Sequence, residues 1–156
     1  MTQFVTDRRK AFTLIELMLV IVIIGILLGS GVLLATRLYL SFQIENSRDT
    51  LAQWMEFQQE KAILTGKSQR INVLYDRGQY EIYDGESLDP FKIIEVHRKF
   101  KLKGLDTDSY QISREFHFQP DGFSDEGTIA FEYEGKTDYQ VKISGGVVSV
   151  NPPEKM

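Results

Sequence analysis

From Leu17 to Ala35 the chain carries no charged residue, and nearly every side chain is aliphatic. About 20 apolar residues cross a bilayer as helix, so this run is just long enough to do so. The eleven residues MTQFVTDRRKA set Asp7 against Arg8, Arg9 and Lys10, a net +2. Basic residues ahead of an apolar run predict a cytoplasmic N-terminus and an exported remainder. Past Thr36 the composition turns polar, charged and aromatic. With 156 residues in all, that leaves one modest domain behind an anchor.

Two ordinary readings of the run fall short. A cleaved signal peptide has an apolar core of roughly 7–15 residues and an A-x-A-like site, whereas here Leu33 stands where a small residue is needed. A plain signal anchor accounts for length and flanking charge but leaves Glu16 unexplained, and a carboxylate at the start of a membrane helix is costly. Thr13-Leu14-Ile15-Glu16 fits the T-x-x-E capping box, in which two side chains satisfy orphan N–H groups of a helix start. Capping explains a Glu at an interface; it does not explain Lys10-Ala11-Phe12 before it and Leu-Met-Leu-Val after it.

Lys10 to Leu17, KAFTLIEL, resembles the class III signal of type IV pilins and pseudopilins. The resemblance implies that a prepilin peptidase cuts between Ala11 and Phe12 and methylates the new Phe12 amine, with Glu16 fifth in the mature chain. Ala11 departs from the usual Gly but stays small. The resemblance also implies that Glu16 pairs with the Phe12 amine of a neighbouring subunit, each neutralising a charge that is expensive to bury alone. Capping and pairing are compatible. Gly25-Ile26-Leu27-Leu28-Gly29 is a GxxxG, a possible close-packing face. Gly29-Ser30-Gly31 lowers helix propensity where many pilins have Pro, a place taken here by Leu33.

Ile44, Ser47, Leu51, Met55, Gln58 and Ala62 then recur at spacings of three or four, beside Trp54, Phe57 and Ile63. No Pro or Gly interrupts Val32 to Thr65, and Gly66 is a natural C-cap. The pattern predicts one helix from Phe12 to Leu64, roughly 80 Å long. Strands are expected at Gln69–Tyr75, Gln79–Tyr83, Phe91–Leu102, Tyr110–Gln119, Thr128–Tyr133, Tyr139–Ser144 and Val147–Asn151. Their separators include Asp76-Arg77-Gly78, Pro120-Asp121-Gly122, Glu134-Gly135-Lys136 and Gly145-Gly146, and Pro152-Pro153 ends the structure. The expected fold class is α+β, a long N-terminal helix (transmembrane half plus amphipathic half) on an antiparallel β-rich head. Ala62 to Lys67, Phe116 to Gly122, Gly127-Thr128-Ile129 and the Ser144 to Val150 hairpin resemble the GspH/FimT family of minor pseudopilins and minor pilins. Competence pseudopilins share a similar layout.

Little else carries chemistry. The chain has no Cys and two His, which excludes disulfides, thiolate sites and a three-histidine zinc centre. His97, with Glu95 and Lys99 at alternate positions, and His117, between Phe116 and Phe118, both read as surface residues. Ser144-Gly145-Gly146 is a turn rather than a phosphate loop, since no helix follows. Asp106 to Asp138 holds nine acidic residues against Arg114 and Lys136, yet matches no EF-hand spacing, and reads first as a solvated face with calcium as the alternative. His97, Arg98, Lys99, Lys101 and Lys103 form one basic cluster, split between strand faces. The whole chain carries −4, and cleavage after Ala11 leaves 15 basic and 21 acidic residues. That balance opposes phosphate binding and speaks against a nucleic-acid partner.

The sequence thus predicts no enzyme, metal or cofactor. The domains expected are a leader (1–11), a transmembrane or filament-core helix (12–36), an amphipathic helix with β head (37–151) and a tail (152–156). The resemblance implies a minor pseudopilin near the tip of a type II secretion pseudopilus. Its partners would be major and minor pseudopilins, the prepilin peptidase and the inner-membrane assembly platform. The expected localisation is single-pass in the inner membrane. The alternative is a minor type IV pilin or competence pseudopilin acting in adhesion or DNA uptake.

Overall fold

The computed structural model describes residues 13–106 and 111–151, and side chains among these except at 28 and 30–34. Ala11, Phe12, Tyr110, Pro152 and Pro153 lie outside the described residues. The element order is one helix and eight strands: α1 (Leu14–Thr65), β1 (Gln69–Leu74), β2 (Gln79–Tyr83), β3 (Lys92–Glu95), β4 (Lys101–Gly104), β5 (Ser113–Phe118), β6 (Gly127–Tyr133), β7 (Lys136–Ser144) and β8 (Val147–Asn151). The chain divides into two compact units, residues 1–40 and 41–156.

In the first unit α1 starts at the Thr13 cap, and its backbone stays helical through Gly29, Ser30 and Gly31. That Gly-Ser-Gly segment therefore forms no break. A Cβ added at Gly25 or Gly29 would meet nothing within 4 Å, so neither glycine is packed upon among the described residues. The expected membrane span is corrected: among the described residues no helix is long and apolar enough to cross a membrane. The single-pass inner-membrane localisation is corrected with it.

In the second unit the amphipathic stripe is where the spacing put it. Ile44, Leu51, Met55, Gln58 and Ala62 are buried, and Ala52 and Arg48 join them. Gly66, at φ 67°, ends the helix and donates its N–H to the Ala62 carbonyl at 3.0 Å, as an αL cap does.

The strands make two four-stranded antiparallel sheets, ordered β3-β2-β1-β5 and β4-β6-β7-β8. Register places Ile71, Ile82 and Phe116 in one row of the first sheet and Leu102, Phe131 and Tyr139 in one row of the second. The helix stripe is pinned to both sheets by side-chain amides. Gln58 Nε2 donates to the Tyr83 carbonyl at 2.6 Å, while Gln59 Nε2 donates to the carbonyls of Gly122, at 3.0 Å, and Gly146. Buried Arg48 donates to the Asn151 carbonyl at the end of β8, at 2.9 Å, and pairs with Asp49 at 2.7 Å.

Two expectations change here. Phe91–Leu102 is not one strand: Phe100 N–H bonds the His97 carbonyl at 2.8 Å in a turn, and the chain leaves the first sheet at β3 to enter the second at β4. The β6–β7 turn is tighter than Glu134-Gly135-Lys136. Glu134 and Gly135 alone make it, with φ 50° and 81°, as a two-residue primed turn requires, and Lys136 begins β7.

The β7–β8 turn yields a test of the packing. Gly145 and Gly146 both have positive φ, 58° and 77°, but a Cβ at Gly145 meets nothing, whereas one at Gly146 runs into the Gly122 carbonyl oxygen. Gly145→Ala should therefore cost about 1–2 kcal/mol, the left-handed backbone penalty. Gly146→Ala should lose about 1–3 kcal/mol more from overpacking, read as the gap between their urea midpoints. A second expectation follows from the division at residue 40. A fragment beginning at Ser41 should melt cooperatively with mixed helix and strand circular dichroism, since the buried stripe and both sheets lie within it.

Candidate assembly site

Glu16 sits in the first turn of α1, and its surroundings are built from the helix start. Thr13 Oγ1 accepts from the Glu16 N–H at 3.3 Å, and Glu16 Oε2 accepts in return from the Thr13 N–H at 3.3 Å. The Thr13 hydroxyl is also 3.3 Å from Oε2. This is the reciprocal capping box the spacing predicted, and it leaves the carboxylate exposed, held at the positive end of the helix dipole. Around it and beyond, the large apolar side chains described from Leu14 to Leu27 are all between 43% and 79% exposed. A helix apolar on every side has no preferred wet face and needs covering all round. The proposed cleavage pair, Ala11 and Phe12, lies outside the described residues.

The other candidate groups do not form a reaction centre. His117 Nδ1 is 2.9 Å from Asp125 Oδ2, and Nε2 is 3.6 Å from Glu115. The same Asp125 oxygen accepts the His117 N–H at 2.9 Å, so the pairing fixes the segment after β5 against that strand. His97 packs against Phe100 with ring centroids 5.4 Å apart and ring planes tilted by 48°. The break after β3 removes the shared strand face with Glu95 and Lys99 that alternation implied. Among the described residues there is no group of three or more His, Cys, Asp or Glu that could hold a metal. In the acidic region Asp125 serves His117, while Glu126 accepts the Gly145 N–H at 3.0 Å and Glu132 pairs with Lys103. That contact and the neighbouring Lys101 hold the Glu132 carboxyl below its ordinary pKa. In the basic cluster, Lys103 is therefore already engaged.

Sequence reasoning did not single out Arg48, Gln59 or Tyr80. Arg48 was detectable, for it stands four residues after Ile44 and three before Leu51, squarely on the stripe. Gln59 and Tyr80 carry no signal of their own.

Residues 6–32 match the prokaryotic N-terminal methylation motif. No curated protein matches the chain. Among solved structures, the type IV minor pilin FimU of Pseudomonas aeruginosa is 19% identical with a TM-score of 0.59, covering 74% of this chain and 92% of its own. The fold is that of a minor pilin. The minor pseudopilin EpsH from the type II secretion system of Vibrio cholerae is similar at 12% identity and a TM-score of 0.57, covering 72% of this chain and 97% of its own. A second EpsH structure gives 14% and 0.55.

Proposed function

We propose that this minor-pilin-like chain is a structural subunit of a pilin-type filament, cut between Ala11 and Phe12 by a prepilin peptidase and assembled through Glu16. The observation that carries the reading is the bare apolar start of α1, Leu14 to Leu27, which presents a single carboxylate and lies within the residues 6–32 that match the methylation motif. Helices of sibling subunits, major and minor, are the cover this surface calls for, and the machine's assembly platform is the partner that would stack them. Within that reading we place the chain in a type II secretion pseudopilus, near the tip, on the resemblance of its head to GspH/FimT minor pseudopilins. The likeness to FimU favours a minor type IV pilin as the second reading. Neighbouring genes separate the two, because a secretion operon and a pilus or competence operon encode different companions.

Two tests follow. Mass spectrometry of the chain from its own host should find an N-methylated Phe12 terminus. An intact Met1 peptide in cells with a working filament machine would remove the pilin reading. The second test separates pairing from capping. Thr13→Ala removes the cap, at a cost of about 1 kcal/mol to the helix start, but keeps the carboxylate. Glu16→Ala removes both. Cysteine crosslinking between helices of adjacent subunits should stay near wild type in Thr13→Ala and fall severalfold or more in Glu16→Ala, with Glu16→Asp between. Equal losses in Thr13→Ala and Glu16→Ala would reduce Glu16 to a helix cap.

A further inference from the structure

A cleft of about 340 Å³ opens between the second half of α1 and the end of β3, lined by Gln43, Asn46, Ser47, Thr50, Tyr80 and residues 94–97. Its helix wall takes positions 43, 46, 47 and 50, the i, i+3, i+4, i+7 stripe that in a packed helix is apolar. Here all four are amides or hydroxyls. Its other wall takes four consecutive residues, Ile94 and Glu95 at the end of β3 and Val96 and His97 just beyond it. β3 is an outer strand of its sheet, so its backbone edge there is not taken up by a further strand.

The hydrogen bonding already present fixes what the cleft can offer. Ser47 Oγ donates to the Gln43 carbonyl at 2.8 Å and Thr50 Oγ1 to the Asn46 carbonyl at 2.7 Å. Both hydroxyl hydrogens are spent on the helix, leaving two oxygens with lone pairs only. Tyr80 is buried, and its hydroxyl has no partner. Burial holds that hydroxyl well above its ordinary pKa, so it stays neutral. Glu95 is the one carboxylate of the lining, which contains no Lys or Arg, and among the described residues nothing pairs with its side chain. His97 Nδ1 lies 3.4 Å from the Lys99 N–H as acceptor, which puts the hydrogen of the neutral ring on Nε2. Acceptors therefore outnumber donors, and the lining carries one uncompensated negative charge.

We propose that this cleft binds a guanidinium or primary ammonium group, with Glu95 as counter-charge and the Ser47 and Thr50 oxygens accepting its hydrogens. Such a group brings several donors and a positive charge but no acceptor. The Arg or Lys side chain of a neighbouring protein and a free amine share this chemistry. The inference does not rest on the N-terminal segment and stands or falls apart from the assembly reading.

The test uses the full chain in neutral detergent at about pH 8. Agmatine, an N-acetylated Gly-Arg-Gly amide and the equally acetylated citrulline counterpart of that peptide are titrated and followed by amide NMR shifts. Agmatine or the arginine peptide should give saturable shifts at Thr50, Glu95 and His97, with citrulline at least fivefold weaker. Glu95→Gln should weaken binding at least fivefold, while Glu86→Gln, outside the lining, should not. Tighter binding of the peptide assigns the cleft to a protein side chain, and tighter binding of agmatine to a free amine. No saturable shift with either cation, equal binding of citrulline, or an unchanged Glu95→Gln variant would overturn the proposal.

Discussion

Two adjacent glutamines on α1 hold the second unit together in a way apolar contact alone could not. Gln58 reaches the Tyr83 carbonyl of the first sheet, and Gln59 reaches the carbonyls of Gly122 and Gly146 beside the second. Apolar burial is proportional to area and indifferent to small sliding, so the stripe from Ile44 to Ala62 would accept several settings of helix on sheet. An amide bonded to one chosen carbonyl accepts one. Breaking such a bond leaves a buried acceptor unpaired, at about 1–3 kcal/mol. Arg48 repeats the device at the far end of the stripe by bonding the Asn151 carbonyl, where its charge is compensated by Asp49.

That arrangement also explains the glycines of the loops nearby. For Gln59 to bond two carbonyls from different turns, those turns must come within one side chain of each other. The Gly146 backbone meets the Gly122 carbonyl where a Cβ would not fit. Both residues have positive φ, a conformation glycine adopts without steric cost. The polar pin and the missing side chain are thus two halves of one contact.

Much of this was legible in the sequence. The helix could be read because its apolar positions recur at three and four, and most turns because Gly, Asp and Pro mark them. The break between β3 and β4 was hidden, since Ile94, Val96, Phe100 and Leu102 keep the alternation of one strand across the turn and only Arg98 interrupts it. The division into two sheets was hidden for the same reason, because alternation fixes faces but not which strands are neighbours. At the N-terminus the capping box was legible from T-x-x-E. The membrane span was inferred from a count of uncharged residues, and no helix among the described residues bears it out. The polar cleft beside β3 was illegible, since Ser47 read as one position of the recurring stripe and Gln43, Asn46 and Thr50 carried no signal of their own.

The balance of forces on the first half of α1 limits what Glu16 can do. Each large aliphatic side chain contributes roughly 1.5–3 kcal/mol when fully buried, and a dozen of them stand exposed from Leu14 to Leu27. Breaking a buried ion pair by removing one partner costs about 3–5 kcal/mol, a small fraction of that total. On the proposed reading, Glu16 would therefore set the register in which such helices assemble, while apolar burial would supply most of the energy. Leucine, isoleucine and valine recur so uniformly along this stretch that shifting a neighbour by one turn leaves the buried area nearly unchanged. A carboxylate facing a single amine loses its partner on the same shift. In the proposed filament, association would come from the many aliphatic contacts, and register from the one charge.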